Sequence, residues 1–513
     1  MQECINDLYE TGFQNDKLAL LFLENQNAEI AIKTANGISK RESITNVVMQ
    51  GSVWGRLFCT ATMDKLGKLE YSNEDLLYKY KGEVEIPTLG MVDDLLSIRK
   101  CSMESVKANA VINGFIESKK LTLSKSKCHR IHICKKKDEN SMKCPNLKVH
   151  NDKMEDSERE KYLGDIVDKT GQIRETIEDR KTKGYALATE IIAILEEIPL
   201  GNYKMEIGLQ LRQAMLLNGM LYNSEVWHSI SENEIRMLEM VDEYLLRSMV
   251  KGHSKTPLEF LYLEAGAIPI RFIISSRRLN YLHTLLKRPE HEITRQVYEA
   301  QKDNTVCGDF YELVQSDIDA VGGGLTEEII EQSCKADFKS IVKAKISRAA
   351  LEYLKAKQQG HSKVRSIKYQ KLQTQQYIKS PLFNNNEVNL LHALRSRMVN
   401  TKANFPSKYQ NNLNCPLCDR SRDDQPHILE CQVLQDKLKT KDITIEGNVY
   451  NDLFEDTLKQ KEITVLFSRL LDIRETLVDE DLVKMTNPSS SAEMLKSNDD
   501  LPSVLFSALS GNK

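Results

Sequence analysis

The chain has no apolar run long enough to cross a bilayer. Its longest early stretch, Leu18 to Leu23, falls far short of the roughly twenty residues a spanning helix needs. No apolar N-terminal segment suggests export. The eleven cysteines show no framework at regular spacing, which argues against a disulfide scaffold. These absences predict an intracellular protein, cytoplasmic or nuclear, with reduced thiols and no membrane partner. Net charge is also small, −3 over 513 residues, so the average shows no sign of a nucleic-acid binder. Internal repeats are missing too. What is present is core material: at 41% hydrophobic, a chain of this length should build about three domains.

The small net charge hides a segregation. Between Lys335 and Lys408 sixteen Lys and Arg face only Asp337, Glu352 and Glu387, a local balance of 16 − 3 = +13. A second cluster, "KKLTLSKSKCHRIHICKKK" from Lys119 to Lys137, carries eight cations and no acid. Solvated helix faces would explain either cluster alone. Together, with the acid displaced elsewhere, they fit phosphate-backbone binding.

Local patterns divide the chain near residue 170. Residues 1 to 35 read as helix, followed by a turn at Asn36-Gly37. From Leu76 to Ile98 the pattern is strand-like, with "YKYKGEVEI" alternating about a Lys81-Gly82 reversal. Ser102 is placed to cap a helix with an apolar stripe of Ala108, Val111, Ile112, Phe115 and Ile116. Beyond residue 170 helical periodicity takes over. Ile207, Leu211, Met215, Tyr222 and Val226 predict one long amphipathic helix, and Ser231 to Glu234 form a capping box. Thr256-Pro257-Leu258-Glu259 should open another helix with Pro at its first position. Gly322-Gly323-Gly324 is read as a joint, and the polar tail from Asn487 as disordered.

One stretch needs a separate explanation: "GMVDDLLSIRKC", residues 90 to 101, pairs Asp93 with Asp94 between apolar flanks. A hairpin turn with the two aspartates at its tip would account for it. Its neighbours favour a more specific reading. Upstream stands "QGSVWGRLF" from Gln50 and Gly51. Downstream come "LTLSKSK" with Lys125 and Lys127, then "KYLGDIV" with Tyr162, Leu163 and Gly164.

In that order the segments resemble the palm of reverse transcriptases from non-LTR (LINE-type) retrotransposons. "LYNSEVW" and "LYLEAGAIPIR" are similar to the thumb and later regions of such elements, and the resemblance covers roughly residues 1 to 435. It implies an RNA-directed DNA polymerase acting on an RNA template and a DNA primer or target. Gln50 and Gly51 would contact template and nucleotide, and Tyr162, Leu163 and Gly164 would form the primer grip. Asp93, with Asp94 beside it, would bind Mg²⁺, while Lys127, or Lys125 if the register slips, would neutralise or protonate pyrophosphate.

The match departs from the family in two places. Met91 stands where an aromatic is more usual. More seriously, the family's other metal-binding aspartate lies on an earlier strand, and no residue here corresponds to it; Asp7 and Asp16 flank the helix and turn that would follow that strand. Polymerase activity is therefore expected to be lost or severely reduced, either because the element copy is truncated or because the true start lies upstream. The competing class is a non-catalytic nucleic-acid-binding protein derived from a mobile element.

The motif most specific by spacing is "CPLCDRSRDDQPHILEC". Cys415-x2-Cys418-x8-His427-x3-Cys431 suits one tetrahedral Zn²⁺ ion, with Ile428 and Leu429 packed beneath a closed site. Cys128, Cys134, Cys144 and His150 are spaced too irregularly to make a second site convincing. The expected fold is α+β, a partial palm with a small antiparallel sheet at 1–170. A helical thumb at 171–255, a basic helical connector at 256–410 and a zinc knuckle at 411–435 would follow. C-terminal helices at 436–486 and the tail at 487–513 complete the chain, which carries no signal of oligomeric state.

Overall fold

Strand pairing stops at Asp168. The computed structural model describes residues 2–25, 29–43, 55–134, 146–197, 204–250, 252–409, 412–439, 453–454 and 457–486. Among these, every ladder lies before Lys169, as separate pairs of two to four residues. Six pairs are antiparallel, and His129–Arg130 with Glu155–Asp156 is parallel. Helices and one isolated bridge, Asn414 with Arg422, follow. The protein is thus α+β, about 59% helical with small antiparallel sheets. Gln50, Gly51, Trp54, Cys144 and the tail 487–513 lie outside the described residues.

The early segment is less continuous than its composition suggested. Helix Gln2–Glu10 ends at Gly12, whose φ of +95° an L side chain rarely adopts, and a second helix, Asn15–Asn25, follows. The reversal near Asn36 joins the two-residue strands Lys33–Thr34 and Gly37–Ile38. Ile5, Leu8, Leu18 and Leu21 pack with Phe58 and Ala61 of helix Gly55–Tyr71.

Two hairpins follow as expected. In Tyr78–Tyr80 with Val84–Ile86 the connection is Lys81 to Glu83; Lys81 and Gly82, both at positive φ, are the central pair of a turn closed by the Glu83 amide donating to the Tyr80 carbonyl at 3.1 Å. Period-two alternation places Val84 and Ile86 with Tyr78 and Tyr80 against Ile293, Val297 and Ala300 of helix Ile293–Asp303. The Lys81 ammonium donates to the Asn304 carbonyl and, at 2.6 Å, to Asp309. Helix Ser102–Ser118 buries Ala108, Phe115 and Ile116, with Val111 and Ile112 half-buried. Its N-cap is Cys101 rather than Ser102.

After Asp168, helix Arg174–Glu197 packs against Glu232–Met249. The latter starts with the expected reciprocal capping box between Ser231 and Glu234. The single helix expected through Val226 is not formed. Lys204–Leu211 runs into a π-helical turn, Arg212–Leu217, and the helix ends at Met220. The extra residue in that turn rotates the buried face, so Arg212, Leu216, Leu217 and Leu221 point inward while Tyr222 and Val226 are exposed. Pro257 is an N-cap rather than the first residue of helix Leu258–Ala265. Gly322, Gly323 and Gly324 all have positive φ. They form a tight turn inside one core, since Val314 and Ile318 before them cluster with Leu325, Ile330 and Phe338 after them.

The chain forms two compact units, 1–381 and 382–513. The division falls inside the stretch read as a basic connector. In the second unit, helix Asn385–Arg395 begins with a capping box of Asn384 and Glu387. Leu391 and Leu394 of that helix, with Phe467 and Leu470 of the long helix Thr457–Thr486, are fully buried. Lys461 joins Glu387 at 2.5 Å.

Candidate functional site

The aspartate hairpin pairs Leu89–Met91 with Asp94–Leu96. Its two-residue tip is Val92-Asp93, one residue earlier than the sequence suggests, so Asp94 already lies in the returning strand opposite Met91. Val92 takes a φ of +61°, unusual for a β-branched residue, and its carbonyl accepts the Cys59 thiol at 3.0 Å. At the other end the hairpin is anchored by buried Glu70. That carboxylate receives the Thr88 amide at 2.5 Å, the Thr88 hydroxyl at 2.8 Å and the Arg99 guanidinium at 2.8 Å. An acid wholly out of solvent is tolerable only with such compensation, and here the compensation fixes where the hairpin springs from helix Gly55–Tyr71. Asp93 and Asp94 themselves are exposed.

The second hairpin, Arg159–Tyr162 with Asp165–Asp168, turns on Leu163-Gly164, both at positive φ. Gly164 is doubly constrained: an added Cβ would sit 2.9 Å from the Tyr222 ring. The Asn223 amide donates to the Leu163 carbonyl at 3.0 Å and to Asp165 at 3.1 Å. Arg180 donates to the Gly164 carbonyl and to Asp165, and lies 5.4 Å from the Tyr222 ring centre. The "KYLGDIV" and "LYNSEVW" segments are therefore one contact region. Burial pushes the Tyr162 phenol above its usual range, and the charge of Asp94 adds to the effect.

Lys125 and Lys127 lie on a 3₁₀ turn; Lys125 pairs with Asp152 at 3.3 Å and Lys127 is exposed. His150 is occupied structurally. Its Nε2 accepts the Leu123 amide at 3.2 Å, and its own amide donates to Asn113 at 3.0 Å.

The four residues Cys415, Cys418, His427 and Cys431 do come together. Their ligand atoms all lie within 4.8 Å of one another, and they form the only such group of three or more ligands among the described residues. The thiols of Cys415 and Cys431 are 4.0 Å apart, and the Cys418 sulfur is 3.3 Å from His427 Nε2. Zinc–ligand bond lengths give tetrahedral edges of about 3.8 Å between thiolates and about 3.6 Å between thiolate and imidazole. The group therefore could hold a metal such as zinc.

Local chemistry builds the pocket from both ends. Between Asn414 and Arg422 the chain reverses tightly: the Cys415 amide donates to Ser421, and the Asp419 amide returns to Cys415. Burial opposes ionisation of Cys418. It is outweighed by the Arg420 amide, the His427 ring, the Cys415 thiol and the Ser421 amide, which hold Cys418 down to about 7. Burial pushes Cys415 up to about 11, against the amides of Cys418 and Leu417. From the other side, Asp424 caps helix Gln425–Glu430 by accepting the His427 amide at 3.0 Å, with Pro426 in the first turn. One helical turn then carries the chain from His427 to Cys431, and Ile428 is buried while Leu429 is half-buried.

Sequence reasoning passed over Asp423. Its buried carboxylate accepts the Lys402 amide and the Arg474 guanidinium, each at 2.7 Å, clasping the metal loop to the long helix Thr457–Thr486. The adjacent "DD" was visible, but a partner 51 residues away was not. No helix of the described residues is long and apolar enough to cross a membrane. No protein-family model matches the chain, and no curated protein matches it.

Proposed function

We propose that this chain is a nucleic-acid-binding protein related to non-LTR reverse transcriptases, with a palm-like hairpin pair of impaired catalytic capacity and a structural zinc module. The observation that carries the reading is the meeting of the "KYLGDIV" hairpin with the "LYNSEVW" segment, two stretches far apart in the chain. The Leu163-Gly164 turn of the second hairpin is gripped by Tyr222 and Asn223. In this reading Tyr162 to Gly164 would hold a primer terminus, and Mg²⁺ at Asp93 and Asp94 would act on its 3′ hydroxyl and on the triphosphate. Two exposed carboxylates without a third ligand among the described residues hold such ions weakly. In the second unit, Cys415, Cys418, His427 and Cys431 hold one Zn²⁺ in a closed, structural site, since three of the four are buried.

A DNA primer annealed to RNA tests this directly. The full chain should bind it, and Tyr162→Ala should weaken binding several-fold without unfolding the protein. With Mg²⁺ or Mn²⁺, primer extension should be undetectable. Robust extension that Asp93→Ala abolishes would show that the two carboxylates suffice for catalysis. Absence of any binding would remove the functional reading itself.

A further inference from the structure

The basic stretch is divided between the two units. Of its sixteen cations, twelve lie between Lys335 and Lys379 in the first unit, against Asp337 and Glu352, a balance of 12 − 2 = +10. From residue 353 to residue 381 there is no acid at all. Helix Lys335–Gln358 ends inside this window, and residues 359–375 then run without regular helix or strand. A loop of that length and charge would ordinarily be loose. This one is tied down at many points.

The tether is Glu264, fully buried on helix Leu258–Ala265. Its carboxylate accepts both the Tyr369 and the Tyr377 hydroxyls, the latter at 2.8 Å. Its carbonyl accepts the Gln375 amide at 3.0 Å, and the neighbouring Ala265 carbonyl accepts the Thr374 hydroxyl at 2.8 Å. Gly266, at φ +66°, lets the loop pass so close that a Cβ there would meet the Gln373 carbonyl carbon at 2.1 Å. Gln358 donates to the carbonyls of Val364 and Ile367. With the tyrosines, Val364 and Ile367 turned inward, Arg365, Lys368, Lys371 and Lys379 are left outside among uncharged Ser366, Gln370, Gln373 and Gln376. None of these four pairs with a carboxylate among the described residues.

We infer that the loop 363–379 is the chain's preorganised contact for a nucleic-acid duplex, with Arg365, Lys368, Lys371 and Lys379 neutralising backbone phosphates and Glu264 positioning them. This rests on the nucleic-acid reading above and assigns its site. Fixed, unpaired cations release counterions on binding without first breaking an ion pair. The loop's two tyrosine rings are buried, so they are not available for the base stacking that single strands exploit. Contact through phosphate alone carries no direct sequence readout, so the loop should grip duplexes with little regard to sequence.

The test titrates the full chain with a blunt 30-base-pair duplex and with a single strand of equal length over a range of salt. Replacing Arg365, Lys368, Lys371 and Lys379 together by Gln leaves the buried tethers intact. That variant should lose roughly a hundredfold in duplex affinity at moderate salt, and the slope of log affinity against log salt should shrink by about 3 to 4. A matched variant with Lys17, Lys33, Lys40 and Lys153 changed to Gln should keep the slope. The double substitution Tyr369→Phe, Tyr377→Phe keeps ring volume but removes both donors to Glu264. It should speed amide exchange across 363–379 and weaken duplex binding while all cations remain. A steep wild-type slope unchanged by the loop variant would overturn the loop assignment and leave nucleic-acid binding standing. A stronger preference for the single strand would overturn the duplex assignment. No salt-dependent binding by the wild type would instead bring down the functional reading.

Discussion

Arg212 shows how one side chain reshapes an element. Turned inward by the π-helical turn, its guanidinium makes two contacts of 2.6 Å with buried Asp242, and it donates to the Ile268 carbonyl at 2.9 Å. The Tyr262 hydroxyl supplies a further donor to Asp242 at 2.7 Å, and burial together with that carboxylate pushes the phenol well above its ordinary range. The buried pair leaves no hydrophobic signature, since an Arg at this position of a helical pattern reads as solvent-facing. Removing one partner strands the other charge away from water. Asp242→Ala should therefore destabilise the first unit by about 3–5 kcal/mol, whereas Arg212→Met with Asp242→Leu should recover most of the loss. Denaturant midpoints of the three proteins check this, and a double variant no better than Asp242→Ala would show that the charges themselves are required.

At the scale of elements, what was legible in the sequence is what adjacent residues decide. The capping box at Ser231, the Lys81-Gly82 reversal, the stripe on helix Ser102–Ser118 and the ligand spacing around Cys418 all depend on neighbours a few positions apart. Helix phase after Arg212, the Glu70–Arg99 anchor and the Glu264 tether depend on partners that only folding brings close. The one-residue shift of the aspartate tip has a similar cause. The hairpin register follows pairing of Leu89 with Leu96, which forces Val92 rather than Asp93 into the first turn position despite its unfavourable φ. The same long-range logic holds the N-terminal helices. Buried Asp7 accepts Thr62 at 2.9 Å and both Lys65 and Lys119, linking three helices. Burial alone would raise its carboxyl, but the two ammonium groups and Thr62 hold it below the usual value. A depressed folded value means that the stabilisation is present above the unfolded value near about 3.9 and is lost as pH falls through the folded one. At neutral pH, Asp7→Asn should loosen helices Gln2–Glu10 and Gly55–Tyr71 by about 2 kcal/mol in amide exchange, and the gap to wild type should close below about pH 4. A difference that persists unchanged in acid would mean that Asp7 acts by packing rather than by charge.

For the molecule as a whole, the division into two units decides how far the loss of one site spreads. The metal group is not a free-standing finger. Asp423 ties its loop to Arg474, and Gln425 donates to the Leu394 carbonyl at 3.0 Å, so the Cys/His group sits within the fold of residues 382–486. Structural zinc contributes about 10–16 kcal/mol in finger peptides, more than most domains hold as net stability, whereas here burial of Leu391, Leu394, Phe467 and Leu470 supplies part of the core. Chelation, or Cys418→Ser, should consequently loosen the second unit without abolishing its helices. Amide exchange should accelerate across 412–439 first and then in helix Thr457–Thr486 around Arg474, because the Asp423 carboxylate that restrains that helix moves with the loop. Helices Arg174–Glu197 and Glu232–Met249 of the first unit should keep their protection, since their core is closed on itself by residues such as Ile177, Ile191, Leu238 and Leu245. Elemental analysis of the purified chain fixes the stoichiometry at one zinc, falling to near zero in Cys418→Ser. A folded protein carrying far less than one zinc per chain, with exchange unchanged by the substitution, would leave the four residues as ordinary thiols and an ordinary histidine.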